Sequence, residues 1–235
     1  MTVHEVAVIL PALDEAQAVG AVVEGFLRER ARVIVVDNGS TDGTGLTAAK
    51  AGAEVVSEKT RGYGSACLAG ISYLTPHPPS IVVFADCDGT LDPHDIGKLI
   101  APIESEEADV VLGRRARVEK GALPIHQRLG NAMACFLLET LYGLTIKDIP
   151  PYRALRWSFL SELGLSERTY GLPVETIALA ARRGGHVKEI DVSYRVRLGG
   201  QSKVTGSFTT SLSAGLSMIT LVIGLRFRKV TKATT

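Results

Sequence analysis

Short, continuous apolar runs recur along the first half of this chain, with stretches of helical spacing between them. Glu5–Leu10, Val33–Val36, Ile81–Ala85 and Asp109–Leu112 read as strands, with a further short one near Glu54–Val56. Runs that are apolar at successive positions, rather than alternate ones, mark strands covered on both faces, as in parallel sheets. Between them, Ala16–Arg30 puts Val19, Val22, Val23, Phe26 and Leu27 on one side of a helix. A short helix reaches Ala51, another covers Ser65–Leu74, and Asp92-Pro93 opens a third with proline in its first turn. This alternation predicts an α/β fold with a mostly parallel, right-handed central sheet flanked by helices.

The alternation weakens after residue 112. Gln127–Tyr142 and Val174–Arg183 have helical spacing, Asp148–Leu155 holds a short strand after Pro150-Pro151, and Val187–Val196 alternates as a strand does. No linker, repeat or low-complexity segment interrupts the chain. The economical division is one domain over 1–205, made of a ligand-binding half (1–112) and a second half (113–205). Residues 206–235 form an apolar and basic tail.

Polar residues gather where the apolar runs stop. Asp86-Cys87-Asp88 follows Ile81–Ala85 directly, at the strand end where ligands collect in open α/β sheets. Two carboxylates one residue apart repel unless a cation or proton separates them. Mg²⁺ suits such a pair, because it takes one or two carboxylates and completes its shell with phosphate oxygens. Asp86 and Asp88 are therefore candidate metal ligands. The side chain of Cys87, the middle residue, is expected on the opposite face. An ordinary strand-to-turn exit at Gly89 is the plain alternative. Asp37–Gly43 is a dense turn signal after the second strand.

Composition narrows the class. The 235 residues, 46% hydrophobic and 22% charged, suit one globular domain, and a net charge of +1 argues against a nucleic-acid-coating protein. Cys67, Cys87 and Cys135 form neither a CxxC pair nor a zinc set, which fits a reduced, cytosolic compartment. Met1–Pro11 does not read as a secretory signal. Leu212–Leu225 is apolar apart from Ser213, Ser217 and Thr220, and Arg226, Arg228 and Lys229 follow. It is shorter than the ~20 residues a spanning helix needs. Two roles suit residues 208–229: contact with a membrane interface, or packing on the domain or on a second subunit of a homodimer.

Five segments, in order, resemble an inverting, family 2 nucleotide-sugar glycosyltransferase of the GT-A type. The resemblance is to the group that includes dolichyl-phosphate mannose synthase and bacterial polyprenyl-phosphate sugar synthases. Pro11-Ala12-Leu13-Asp14-Glu15 resembles its P-x-x-N-E loop, with Asp14 where Asn is usual. Val35–Asp42 resembles V-V-D-D-G-S-x-D, with Asn38 for the second Asp. Asp86–Gly89 resembles D-x-D-G, and Asp148–Ala154 resembles D-x-x-x-x-(F/Y)-R-A. Arg197–Lys203 resembles R-x-x-G-x-S-K, typical of the lipid-phosphate branch. Together they span roughly residues 5–205.

The resemblance implies a GT-A, Rossmann-like fold and a set of site residues. Pro11, Ala12, Leu13, Asp14, Glu15 and Asp37 would surround the base and ribose, and the change at position 14 bears on nucleobase preference. Arg61, Gly62, Asp86 and Cys87 belong to the same nucleotide-binding set, with backbone N–H groups near Gly62 and Gly64 helping to hold the donor. Asp86 and Asp88 would hold Mg²⁺ or Mn²⁺ against the diphosphate, Asp88 more closely. Arg197, Ser202 and Lys203 would receive an acceptor phosphate, with Arg153 beside them and Gly199-Gly200 letting the loop close. Arg114, next to Arg115 after the fifth strand, is a further candidate for that phosphate, against a purely structural role.

The acceptor decides the chemistry. A polyprenyl phosphate is already anionic and needs positioning by cations, whereas a sugar hydroxyl needs a base. Glu175, early in a helix after Gly171-Leu172-Pro173, is the candidate base or acceptor-orienting acid. Its plain role is to suit a helix N-terminus. The expected function is hexose transfer from a nucleotide diphosphate sugar to a polyprenyl phosphate at the cytoplasmic face of the membrane, with Asp88, Arg197, Lys203 and Glu175 as catalytic candidates. The alternatives are a soluble acceptor, or a nucleotide-sugar binding protein without catalysis.

Overall fold

The structure is a computed structural model and describes residues 5–119, 125–199 and 220–227. Among them, seven strands form one sheet. These are β1 (Val6–Ala12), β2 (Arg32–Asp37), β3 (Glu54–Ser57), β4 (Ile81–Phe84), β5 (Val110–Val118), β6 (Arg153–Arg156) and β7 (Val187–Tyr194). Their spatial order is β3-β2-β1-β4-β6-β5-β7. The continuous apolar runs become the central strands, and every residue of β4 is buried.

Neighbours β3, β2, β1 and β4 pair in parallel, as do β5 and β7. Strand β6 runs antiparallel between β4 and β5. The expected parallel sheet is thus observed, with one reversed strand inserted. The boundary drawn at 112/113 falls inside β5, which is longer than the sequence suggested.

Helices cover both faces. On one side α1 (Val19–Arg28), α2 (Thr44–Lys50) and α4 (Ile96–Glu104) bury Val22, Val23, Phe26, Leu99 and Ile103 against Val8, Val35 and Val83. On the other lie α3 (Tyr63–Leu74), α5 (Ile125–Tyr142), α6 (Trp157–Leu163) and α7 (Leu172–Arg182). The chain crosses from the first face to the second between β3 and β4. The gap between the C-terminal ends of β1 and β4 is therefore a topological switch point, where such sheets bind ligands. The loops after β1, β2 and β4 all open there.

The tail is described only over 220–227, which is helical. Leu225 is buried in the second core cluster. Tyr142 Oη donates to Val222 O at 2.6 Å, and Arg182 Nη1 donates to Leu225 O at 2.6 Å. This part of the tail packs on the domain, with Ile223 and Phe227 exposed on its outer side. Among the described residues no helix is long and apolar enough to cross a membrane.

Candidate functional site

The loop after β1 is shaped by the turn after β2. Asp14 has φ +52°, a left-handed conformation that aspartate tolerates better than most residues. Its N–H donates to Ser40 Oγ at 3.0 Å, and its Oδ1 accepts from Thr41 N–H at 2.8 Å. Glu15 N–H donates to Thr44 Oγ1 at 2.8 Å and Ala16 N–H to Asp42 Oδ2 at 3.0 Å. Asp37 is half-buried, and its Oδ1 accepts from Ser40 N–H at 2.8 Å. Pro11–Glu15 and Asp37 therefore share one continuous edge.

Asn38 does work that the sequence did not disclose. Its Nδ2 donates to Glu58 O at 2.9 Å and Thr60 O at 2.8 Å, and its Oδ1 accepts from Gly62 N–H at 2.8 Å. A carboxylate could not make the two donations, so the Asn at this position ties the β3–α3 loop to the nucleotide edge. Arg61 lies exposed over that edge and donates to Gly39 O at 3.0 Å.

The N-terminus of α3 corrects one expectation. Gly62 has φ +143°, and a Cβ there would lie 2.2 Å from Arg168 O. Only glycine fits that conformation and that approach. Gly64 N–H donates to Thr169 O at 3.1 Å and Ser65 N–H to Arg168 O at 2.9 Å. With Gly62 N–H on Asn38, these donors are already paired, so the diphosphate-holding role expected of the Gly62 and Gly64 amides is not what they perform. The segment 166–169 caps the helix instead.

Glu175 explains why that segment sits where it does. It is 1% exposed in the first turn of α7. Its carboxylate accepts from Ser166 N–H at 2.9 Å, Glu167 N–H at 2.7 Å and Ser166 Oγ at 3.1 Å. The structure thus corrects the candidate base: Glu175 positions a loop, and the loop positions α3. Tyr170, at the end of that loop, stacks on Tyr63 with ring centroids 6.2 Å apart.

Beneath the acidic motif lies a buried cation. Arg153 is 0% exposed on β6, opposite Phe84 in the register. Its guanidinium stacks 4.5 Å from the Phe84 ring centre and donates to Tyr63 Oη at 3.2 Å and Pro151 O at 3.1 Å. Among the described residues its Nε and Nη2 have no hydrogen-bond partner. Full burial corrects the acceptor-contact expectation for Arg153: it supports the floor of the site.

Asp86 is half-buried at the end of β4, and Asp88 is buried. Burial first, and the charge of Asp88 second, raise the Asp86 carboxyl; Arg153, Arg115 and Arg197 pull it the other way. Asp88 Oδ1 accepts from Thr90 N–H at 3.0 Å and Thr90 Oγ1 at 2.7 Å. Its Oδ2 accepts from Arg197 Nη1 at 3.3 Å. Cys87 is 2% exposed and points into the core, as expected of the middle residue, so any part it takes in nucleotide binding falls to its backbone.

Among the described residues no group of three or more His, Cys, Asp or Glu side chains could enclose a metal. The donor set is two hard carboxylate oxygens beside an open edge. Their mutual repulsion is what a divalent cation would relieve, so the residues fit Mg²⁺ or Mn²⁺ completed by phosphate oxygens.

Arg197 reaches the site on a segment zipped to the acidic motif. Arg195 N–H donates to Thr90 O at 2.8 Å and Leu198 N–H to Asp88 O at 3.1 Å. The Leu198 side chain covers Gly89, whose φ of +78° favours glycine. The Arg197 guanidinium pairs with Asp88 and Glu15, while its Nε donates to Gly199 O at 2.8 Å. Ser202 and Lys203 lie outside the described residues.

The two arginines expected after the fifth strand lie inside β5 and part company. Arg114 pairs with Asp191 on β7, with Nε 2.7 Å from Oδ1. That contact corrects the expectation that Arg114 faces an acceptor. Arg115 lies on the other face, forked onto Asp148 at 2.9 and 2.6 Å and stacked 5.4 Å from the Tyr194 ring centre. No local signal distinguished the pair; the strand's alternation does so only once its bounds are known.

Comparison with known proteins agrees with this arrangement. A family model described as "Glycosyl transferase family 2" matches residues 7–164. An uncharacterized glycosyltransferase of Mycobacterium tuberculosis is 41% identical over 209 residues, covering 89% of this chain and 94% of that protein. The dolichyl-phosphate hexose transferase of Haloferax volcanii is 34% identical over 233 residues, covering 97% of this chain and 98% of its own. Among solved structures, glucosyl-3-phosphoglycerate synthase of M. tuberculosis, crystallised with Mn²⁺, uridine diphosphate and phosphoglyceric acid, has a TM-score of 0.76. Its 21% identity spans 96% of this chain and 80% of that one, a likeness of fold.

Proposed function

The chain belongs to glycosyl transferase family 2, and from that premise we propose that it transfers a hexose from a nucleoside diphosphate sugar to a polyprenyl phosphate, with inversion. Membership makes the protein an enzyme, a glycosyltransferase of GT-A architecture, and removes the non-catalytic binding alternative.

The edge formed by Pro11–Glu15 and Asp37 receives base and ribose, since their carboxylates accept from ribose hydroxyls and a base N–H. Asp86 and Asp88 hold Mg²⁺ or Mn²⁺, which when bound neutralises the charge that develops on the departing diphosphate. Arg197, with Ser202 and Lys203, holds the acceptor phosphate, whose oxygen attacks the anomeric carbon opposite the leaving group. Inversion follows from that single displacement. We take 1–205 as the catalytic unit and place it at the cytoplasmic face of the membrane, with the outer side of the tail toward lipid.

One observation carries the choice of an anionic acceptor. The group beside Asp88 is a guanidinium, Arg197, while the acid that a hydroxyl acceptor would need as its base, Glu175, is turned to Ser166 and Glu167. The similarity to the dolichyl-phosphate hexose transferase along nearly the whole chain supports it.

The test is release of nucleoside diphosphate from UDP-glucose, UDP-N-acetylglucosamine and GDP-mannose with Mn²⁺, with and without a short polyprenyl phosphate. Release from one donor, stimulated by the lipid phosphate, is expected. Stimulation by 3-phosphoglycerate but not by the lipid would move the acceptor to a soluble phosphate and overturn the reading.

A further inference from the structure

The ion pairs of Arg197 occupy the oxygen that the metal reading requires. Of the two Asp88 oxygens, Oδ1 is held by the amide and hydroxyl of Thr90. The other, Oδ2, faces Arg197 Nη1 at 3.3 Å, and the same guanidinium pairs with Glu15. Arg197 is only 21% exposed and Glu15 and Asp88 less so, so water screens this contact less than a surface pair. The segment that carries Arg197 is not free to drift, because Leu198 N–H bonds to Asp88 O and its side chain covers Gly89.

We propose that Arg197 is a built-in countercation at Asp88, which must yield Oδ2 before a divalent cation can take it. The inference rests on the metal reading above and adds an order to it. Two cations cannot share one carboxylate oxygen without strong repulsion. When a divalent cation takes Oδ2, Arg197 keeps Glu15 and Gly199 O but loses its Asp88 partner, which leaves Nη1 beside the site with a donor to offer. That is the group an incoming acceptor phosphate would bind, because a planar guanidinium donates to two phosphate oxygens at once. Arg197 therefore has two stations: on Asp88 and Glu15 without metal, and on the acceptor after metal and donor are in place. The acceptor is recruited only to a loaded enzyme, which protects the donor from being opened before a nucleophile is present.

The two stations predict opposite effects of one substitution. Arg197→Ala should bind Mn²⁺ more tightly than the wild type by about tenfold, the worth of one partly buried ion pair, while its acceptor-dependent turnover falls. Binding of Mn²⁺ alone is read from the loss of the free-ion electron paramagnetic resonance signal, with the full chain and no donor. Leu198→Ala, which loosens the same segment without removing the charge, should shift Mn²⁺ affinity the same way by less. A melting curve identifies any variant that fails to fold, and Leu198→Ala then carries the test.

Equal or weaker Mn²⁺ binding in both folded variants would overturn the inference and leave the metal reading intact. Absence of Mn²⁺ binding in wild type and variants alike, with UDP or GDP present, would sink the metal reading itself and this inference with it.

Discussion

The turns of the nucleotide side close on contacts of very short reach and are tied to one another across 24–29 residues by Asp14, Glu15 and Asn38, whereas the other side is held by contacts of longer reach still. On the nucleotide side, Ser40 reaches Asp37 across three residues, Thr44 reaches Asp42 across two and Thr90 reaches Asp88 across two. On the other side, Arg115 reaches Asp148 across 33 residues, Ser65 reaches Arg168 across 103 and Arg197 reaches Glu15 across 182. Contacts of the first kind close together with the turn that contains them. Those of the second kind exist only after the sheet has assembled and the intervening chain has been ordered. Substitutions on the nucleotide side should therefore remove chemistry and spare the fold, and substitutions on the other side should do the reverse.

The largest effect belongs to Asp88→Asn. The amide oxygen keeps both Thr90 contacts, so the turn survives, but the charge that would hold the metal is gone. Donor turnover should fall on the order of a thousandfold, with the melting temperature moving by less than about 3 °C. Nucleoside diphosphate release and a melting curve on the same sample check both halves. A large loss of stability would break the comparison, because the pair of Asp88 with Arg197, 109 residues away, would then be supporting the fold.

Asp148→Asn is the mirror case. Asp148 and Arg115 are both nearly buried, at 8% and 11% side-chain exposure. Removing one charge leaves the other buried and unpaired, which costs about 3 kcal/mol. For a chain of this size that is a fall of about 6–12 °C in melting temperature. Donor binding measured below the transition should change little.

The same difference in reach governs what the sequence disclosed. The apolar runs announced β1, β2 and β4 because strands buried on both faces need no partner-specific pattern. The acidic turns at their ends were legible because Asp, Asn and Gly in those positions bind their own backbone. Nothing local marked β6 as antiparallel, since four residues after two prolines carry no signal of direction. Arg114 and Arg115 could not be told apart without the register of β5. Glu175 was singled out as a candidate base, whereas its carboxylate accepts from Ser166 and Glu167, whose place is set by the whole second face. The substitution at position 38 was noticed as a departure from a motif; only the carbonyls of Glu58 and Thr60 give it a function.

Glu175→Gln sharpens the comparison through a smaller effect. A general base in this position would lose roughly 10²–10⁴-fold in turnover on becoming an amide. A loop anchor behaves otherwise, because the amide oxygen still accepts from Ser166 and Glu167. Turnover should fall less than about tenfold, with the donor KM rising more than kcat falls and the pH profile of kcat unchanged. Loss of the acidic limb of that profile would return Glu175 to a catalytic role. Glu175→Ala should loosen the 166–169 segment and with it the cap on α3, and its larger effect on donor KM separates anchoring from protonation.

The smallest effect compares two helices of the second face, α3 and α5, without touching the chemistry. Cys67 is fully buried in α3, over the centre of the sheet, and Cys135 is 7% exposed in α5. Burial pushes both thiols up to about 12, so their thiolate fractions in the folded protein are alike. Any difference in their labelling rates then reports how often each region opens. The outer side of α5 carries Leu129, Met133 and Phe136 exposed at 69%, 51% and 61%, so this helix is held by one face only. In dilute urea, Cys135 should react severalfold faster than Cys67, as read from the masses of alkylated peptides. The sign of the pH effect is fixed as well. Each thiol ionises near 9 when exposed and near 12 when folded, so their stabilising contribution is complete below pH 9 and lost as pH rises toward 12. Both labelling rates should climb together over that interval. Equal rates at every urea concentration would mean that α3 and α5 open as one unit, and the exposed outer side of α5 would then have no bearing on how firmly that helix is held.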